Sequence, residues 1–76
     1  MYTSTLAELC DGESAVVLSV NNGTDMKRRL MDLGLIRGTK VVSLFRSPSG
    51  DPAAYLIRGA VIALRKKDAQ MIIVSK

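Results

Sequence analysis

Arg28-Arg29-Leu30-Met31-Asp32-Leu33-Gly34-Leu35-Ile36-Arg37-Gly38-Thr39-Lys40-Val41 reads as a short amphipathic helix that stops at a glycine, turns, and becomes a strand. Gly34 stands where a left-handed C-terminal cap is wanted, because only glycine takes positive φ without a Cβ penalty. Gly38 marks a second tight turn four residues later. The chain is therefore folded back sharply here, with Leu33, Leu35 and Ile36 available to plug a core. Upstream, Thr24 is the expected N-cap and Asp25 favours the positive end of the helix dipole. Met26, Leu30 and Leu33 follow at i, i+4 and i+7, which makes one apolar face. Lys27, Arg28 and Asp32 point to water, Arg29 lies at the flank, and Met31 is apolar but off the stripe.

The segments on either side favour strands. Thr5 to Gly12 reads as one helical or 3₁₀ turn closed by a glycine, with Leu6 and Leu9 directed inward. Glu13–Val20 is rich in β-branched residues and ends at the turn cluster Asn21-Asn22-Gly23. Thr39–Arg46 is a second strand, and Ser47-Pro48-Ser49-Gly50-Asp51-Pro52 is a loop. Ala53–Arg58 and Ala60–Arg65 are short strands joined at Gly59, a bend or bulge. Lys66–Gln70 is a one-turn helix or tight turn, and Met71–Val74 closes the chain. Five short strands with one inserted helix suit a small, strongly bent antiparallel sheet closed as a barrel. Closure would also remove edges that an aliphatic sheet exposes to aggregation.

Composition removes most chemistries. Residues 1–76 are expected to form a single domain, close to the lower size limit for a self-sufficient core. Apolar residues make up 47% of the chain, yet Tyr2, Phe45 and Tyr55 are the only aromatics, so the core is aliphatic. There is no histidine and a single cysteine, which excludes Ser-His-Asp and Cys-His nucleophiles and histidine metal sites. Cys10 is expected to be a small core or helix-end residue. Glu8, Asp11 and Glu13 flank a turn and read as a solvated rim, and none of the seven carboxylates falls in a calcium-loop pattern. No catalytic residue, cofactor or metal ligand is therefore assigned. Apolar runs reach five residues, far short of the roughly 20 needed to span a bilayer. The N-terminus lacks the features of a signal peptide, so a soluble, cytoplasmic protein is expected.

A net charge of +4 suits nucleic acid, an acidic protein surface or anionic lipid headgroups, although a solvated surface is the commoner reason for so modest an excess. The basic triplets Lys27-Arg28-Arg29 and Arg65-Lys66-Lys67 lack the interleaved aromatics that stack on bases, which makes nucleic acid the weaker choice. Met31, beside the cations, offers an adaptable contact for a protein.

Arg28-Arg29-Leu30-x-Asp32-Leu33-Gly34-Leu35-x-x-Gly38-Thr39-x-Val41 closely resembles the helix–turn–strand core of FeoA-type proteins. Leu6-x-x-Leu9-x-x-Gly12, Pro48-x-Gly50-Asp51-Pro52 and Ala63-Leu64-Arg65-(x)₃-Ala69-x-x-Ile72-x-Val74 stand in the matching order, so the resemblance covers about residues 4 to 75. One departure is Ile36-Arg37-Gly38, where a proline before the second glycine is frequent. The resemblance implies an SH3-like barrel with an inserted helix and a small, non-enzymatic accessory protein of bacterial ferrous iron uptake. Its implied partner is the cytosolic, GTP-binding region of the membrane transporter FeoB, so that contact with the membrane is only indirect. The same barrel is similar to the C-terminal domain of iron- or manganese-dependent repressors. A metal-responsive domain of that kind and a nucleic-acid-binding barrel are the alternatives, and a homo-oligomer is left open. The expected partner surface is the exposed helix face and the turn after it: Lys27, Arg28, Met31, Asp32, Leu35 and Arg37. Leu30, Leu33, Gly34 and Gly38 are expected to be structural.

Overall fold

The computed structural model describes residues 3–20 and 25–76. The expected Asn21-Asn22-Gly23 turn and Thr24 cap lie outside them, as do Tyr2 and the side chains of Asp25 and Met26. Six strands alternate with short helical pieces: β1 (Thr3–Thr5), a 3₁₀ turn (Leu6–Glu8), β2 (Ser14–Val20), α1 (Asp25–Asp32), β3 (Lys40–Arg46), β4 (Ala53–Ile57), β5 (Ala60–Leu64), α2 (Lys66–Ala69) and β6 (Ile72–Ser75). They form one antiparallel sheet in the order β1-β6-β2-β3-β4-β5. Among the described residues no ladder joins β1 to β5. Instead α2, which follows β5, packs on the 3₁₀ turn that follows β1, and the ends of the bent sheet meet through these two pieces.

Two bulges do the bending. In β2 the register shifts between Val17 and Ser19, so Leu18 is the extra residue. Side chains alternate with period two along a strand, and one inserted residue resets the phase. That reset is why Val17 and Val20, an odd number of positions apart, are both buried. In β3 the shift falls between Ser43 and Phe45. Val41 and Ser43 point inward, Phe45 is then turned out and 58% exposed, and Arg46 comes round opposite the buried Ala53. Tyr55 therefore joins the otherwise aliphatic core, whereas Phe45 does not. Gly59 is not a bulge. With Arg58 it makes a two-residue hairpin loop in which both residues have positive φ, the twist that matches paired strands.

The core is one cluster built from Leu6, Leu9, Val17, Leu30, Leu35, Tyr55, Ile57, Ile72 and their neighbours. Polar groups tie its rim. Arg46 Nη2 donates to the carbonyls of Leu9 (2.7 Å) and Ala7 (3.3 Å), fixing the 3₁₀ turn to the end of β3. Asp51, in the proline loop, accepts from the first amide of α2 at Lys66 (2.8 Å). The Glu8 carboxylate accepts from the Thr5 amide and from the Ser4 and Thr5 hydroxyls, each at 3.3 Å. Glu13 accepts from the Cys10 amide (2.6 Å) and from Lys76 (3.0 Å). Two carboxylates of the expected solvated rim are thus hydrogen-bonded, while Cys10 is exposed rather than part of the core.

The hydrogen bond from the Thr5 amide holds Glu8 below the ordinary carboxylate range, and that from the Cys10 amide, with Lys76, does the same for Glu13. A carboxylate depressed in the folded state contributes stability above its unfolded value, about 4.3, and loses it as pH falls through the folded one. Glu13→Gln is expected to flatten the fall in stability below that pH. Urea titrations at pH 3 to 6 check it, and parallel slopes for both proteins would contradict it.

Gly34 has φ of +102°, and a Cβ placed there would lie 2.7 Å from Arg58 Cδ. Gly34→Ala is expected to cost about 1–2 kcal/mol from the left-handed backbone alone, read from the urea midpoint.

Candidate docking face around helix α1

The end of α1 decides which side chains face outward. The Gly34 amide donates to the Met31 carbonyl (2.9 Å) and the Leu35 amide crosses back to the Leu30 carbonyl (3.0 Å). This crossed pair is the Schellman arrangement, which satisfies two orphan carbonyls and brings the residue after the glycine onto the last turn but one. Leu30 is 1% exposed and Leu35 is fully buried in the same cluster.

Two expectations are corrected here. Leu35 cannot be a partner contact, because the cap turns it inward. Leu33 is not a core residue: it sits at the helix end, on the side of the cap away from Leu35, and is 42% exposed. Its place in the core is taken by Leu35. Leu30 is buried as expected, and Gly34 and Gly38 both have positive φ.

Beyond the cap, the Thr39 amide donates to the Ile36 carbonyl (3.0 Å), closing a turn with Gly38 at its third position. Positive φ there is the type II pattern, whose second position favours proline. Arg37 occupies that position, and the departure from the expected motif is therefore a turn without its usual rigid residue. It places a cation on the surface instead.

The outer surface of α1 and this turn carries Lys27, Arg28, Met31, Asp32 and Arg37, all exposed. Met31 and Ile36 leave 45% and 40% of their area open. A shallow groove of about 190 Å³ runs beside them, lined by Lys27, Met31, Ile36 and Arg37 with Ser19 and Val20 of β2, and floored by Leu35. Three of the six expected partner residues, Lys27, Met31 and Arg37, thus line one groove, and a fourth, Leu35, lies buried beneath it. Arg28 and Asp32 lie outside its lining. Ile36 replaces Leu35 as the second apolar contact. Ser19 and Val20 had no signal in the sequence, because strand pairing alone brings them to the helix. On the other flank of α1 a larger cleft of about 360 Å³ separates Arg29, Leu30 and Leu33 from the end of β5 and from α2.

Among the described residues no three His, Cys, Asp or Glu side chains come together as a metal site, and no helix is long and apolar enough to cross a membrane. The arrangement offers an apolar centre ringed by charge, the anatomy of a protein contact.

Residues 4–76 match the family model described as the FeoA domain. The chain belongs to the FeoA family. It is 30% identical over 67 residues to the Fe(2+) transport protein A/Fe(2+) transporter FeoB fusion protein of Porphyromonas gingivalis, a match covering 88% of this chain and only 8% of that relative. That fusion places the family in ferrous iron transport. The solution structure of FeoA from Chlorobium tepidum is similar with a TM-score of 0.88 and 40% identity, over 95% of this chain and 69% of that one. The crystal structure of Stenotrophomonas maltophilia FeoA complexed with zinc, described as a prokaryotic SH3 domain protein, has a TM-score of 0.86 and 33% identity, over 95% and 89% of the two chains.

The burial pattern separates scaffold from surface. Leu35→Ala is expected to cost roughly 2–5 kcal/mol through a core cavity, whereas Met31→Asp and Arg28→Glu stay within about 0.5 kcal/mol. Thermal or urea unfolding of the three variants checks it, and equal losses would show the helix to be buried differently.

Proposed function

We propose that this FeoA domain is a non-enzymatic accessory module of ferrous iron uptake, acting in the cytoplasm by docking on the cytosolic region of FeoB. The observation that carries the reading is the fusion of a similar FeoA to FeoB in one chain. Covalent linkage raises the effective concentration of one module at the other, which is useful when the two must meet repeatedly. Linked or not, the two modules still need an interface through which to meet.

The face of α1 meets that need. Met31 and Ile36 form a small apolar centre, and Lys27, Arg28 and Arg37, with Asp32, surround it. Central apolar residues set the strength of such a contact, while the rim charges set approach and orientation. The short helix is held by Leu30 and Leu35 below, so little order has to be imposed on binding.

Binding of the purified domain to the FeoB cytosolic region tests the reading by calorimetry or fluorescence anisotropy. Met31→Asp is expected to weaken it by at least tenfold, since about 1.4 kcal/mol separates a tenfold change. Arg28→Glu is expected to lower the association rate and the salt dependence. Unchanged affinity in both variants, with the fold retained, would remove the α1 face as the docking surface.

A further inference from the structure

β5 is an end strand, and its edge is unusually bare. Among the described residues it pairs with β4 alone, from Ile57 opposite Ala60 to Ala53 opposite Leu64. The pair that closes a two-residue hairpin exchanges both hydrogen bonds, and the pattern then alternates along the strand. Ala60, Ile62 and Leu64 therefore direct their backbone groups to β4, and Val61 and Ala63 direct theirs away from the sheet. Proteins usually blunt such an edge with a charge, a proline or a bulge. The sequence Ala60-Val61-Ile62-Ala63-Leu64 has none of these, and Val61 is 62% exposed.

The 360 Å³ cleft lies along the end of this strand. Ala63, Leu64 and Arg65 form one side, Arg29, Leu30 and Leu33 form the other, and Lys67 and Asp68 close it from α2. Three cations against one carboxylate give the cleft a positive field over an apolar floor. The two basic triplets of the sequence, distant along the chain, meet here through Arg29 on one side and Arg65 and Lys67 on the other.

We propose that the β5 edge and this cleft form a docking groove for an extended, acidic segment of a partner protein, added to the sheet as a further antiparallel or parallel strand. Backbone pairing to Val61 and Ala63 supplies a geometry that only a peptide matches. Apolar side chains of the segment settle on the exposed Leu33 and Ala63, and its carboxylates meet Arg29, Arg65 and Lys67. A second copy of this chain fits poorly. Antiparallel self-pairing centred on Ile62 brings the cations that flank one copy of β5, Arg58 in the hairpin loop and Arg65 and Lys66 after Leu64, towards those of the other, and like charges brought together are destabilising. Single-stranded nucleic acid is also a poorer match, because among the described residues no aromatic side chain lines the cleft to stack a base. This groove lies on the flank of α1 opposite Met31 and Ile36. It stands whether or not the α1 face binds a transporter.

The test uses the isotope-labelled full chain and a blocked synthetic peptide, acetyl-Glu-Val-Asp-Val-Glu-Leu-amide. Titration is expected to shift the amide resonances of Val61 and Ala63 and to slow their hydrogen exchange. Arg65→Glu combined with Lys67→Glu is expected to weaken binding roughly tenfold, the scale of two exposed charge pairs lost and reversed. Ala63→Pro removes an outward donor while leaving the β4 ladder intact, and it is expected to abolish the effect. If that variant fails to fold, the double charge reversal carries the decision. Equal binding of a peptide with lysines for the acids would overturn the proposal, as would shifts confined to other surfaces. Tighter binding of an eight-nucleotide oligothymidylate at the same residues would replace the peptide by nucleic acid. Protection of the Val61 and Ala63 amides that grows with protein concentration alone would identify a second copy as the occupant.

Discussion

The crossed hydrogen bonds at Gly34 are the constraint on which the rest of the molecule turns. Without a residue in the left-handed region, the Leu35 amide could not reach back to the Leu30 carbonyl. With it, the chain reverses within two residues, and Leu35 is laid on Leu30 inside the sheet. That contact fixes the angle at which α1 leaves the barrel, and so fixes what it exposes. Met31 and Asp32 are outward because Leu30 and Leu35 are inward. The same reversal delivers the chain to Gly38 and Thr39. There the Gly38 amide donates to the Val17 carbonyl (2.8 Å) and the Val17 amide to the Thr39 carbonyl (2.9 Å), which starts β3 alongside β2.

Strand positions were legible in the sequence because β-branched runs bounded by glycine and proline have few other uses. Boundaries expected from those runs, such as Thr39–Arg46 and Ala53–Arg58, differ by a residue or so from β3 and β4. β1 was missed for the opposite reason: Thr3-Ser4-Thr5 is short and polar, and only its pairing with β6 makes it a strand. The bulges at Leu18 and Leu44 were not legible either. Neither carries a glycine, and each follows from the need to bend a sheet round a small core rather than from local preference. Phe45 shows the consequence, since its orientation depends on a phase shift that no reading of period two contains.

The candidate site divides in the same way. Exposure of Lys27, Arg28 and Met31 could be read from helical periodicity, which is a local property. The exchange of roles between Leu33 and Leu35 could not, because the helical period no longer applies past the cap. A stripe at i, i+4 and i+7 assigns Leu33 to the core, but the Schellman geometry supplies a better-placed leucine two residues later, and one position suffices. The clefts on the two flanks of α1 were beyond any local reading. Each joins the helix to strand residues that only the sheet order brings near.

Sheet edges give a final contrast. β1 is three residues long and polar, and two of its hydroxyls, those of Ser4 and Thr5, are taken up by Glu8. That is how a protein makes an edge uninviting. β5 is apolar through all five residues, with cations gathered at both of its ends instead of along it. If folding alone governed both edges, the cheapest guard would be a single lysine within β5, at the exposed Val61 or Ala63, where no core contact would be lost. The edge instead keeps its apolar surface and places its charge beside the cleft. Such an arrangement repels a second copy of itself while remaining open to an acidic strand, so the charge acts as a filter on partners rather than as a block.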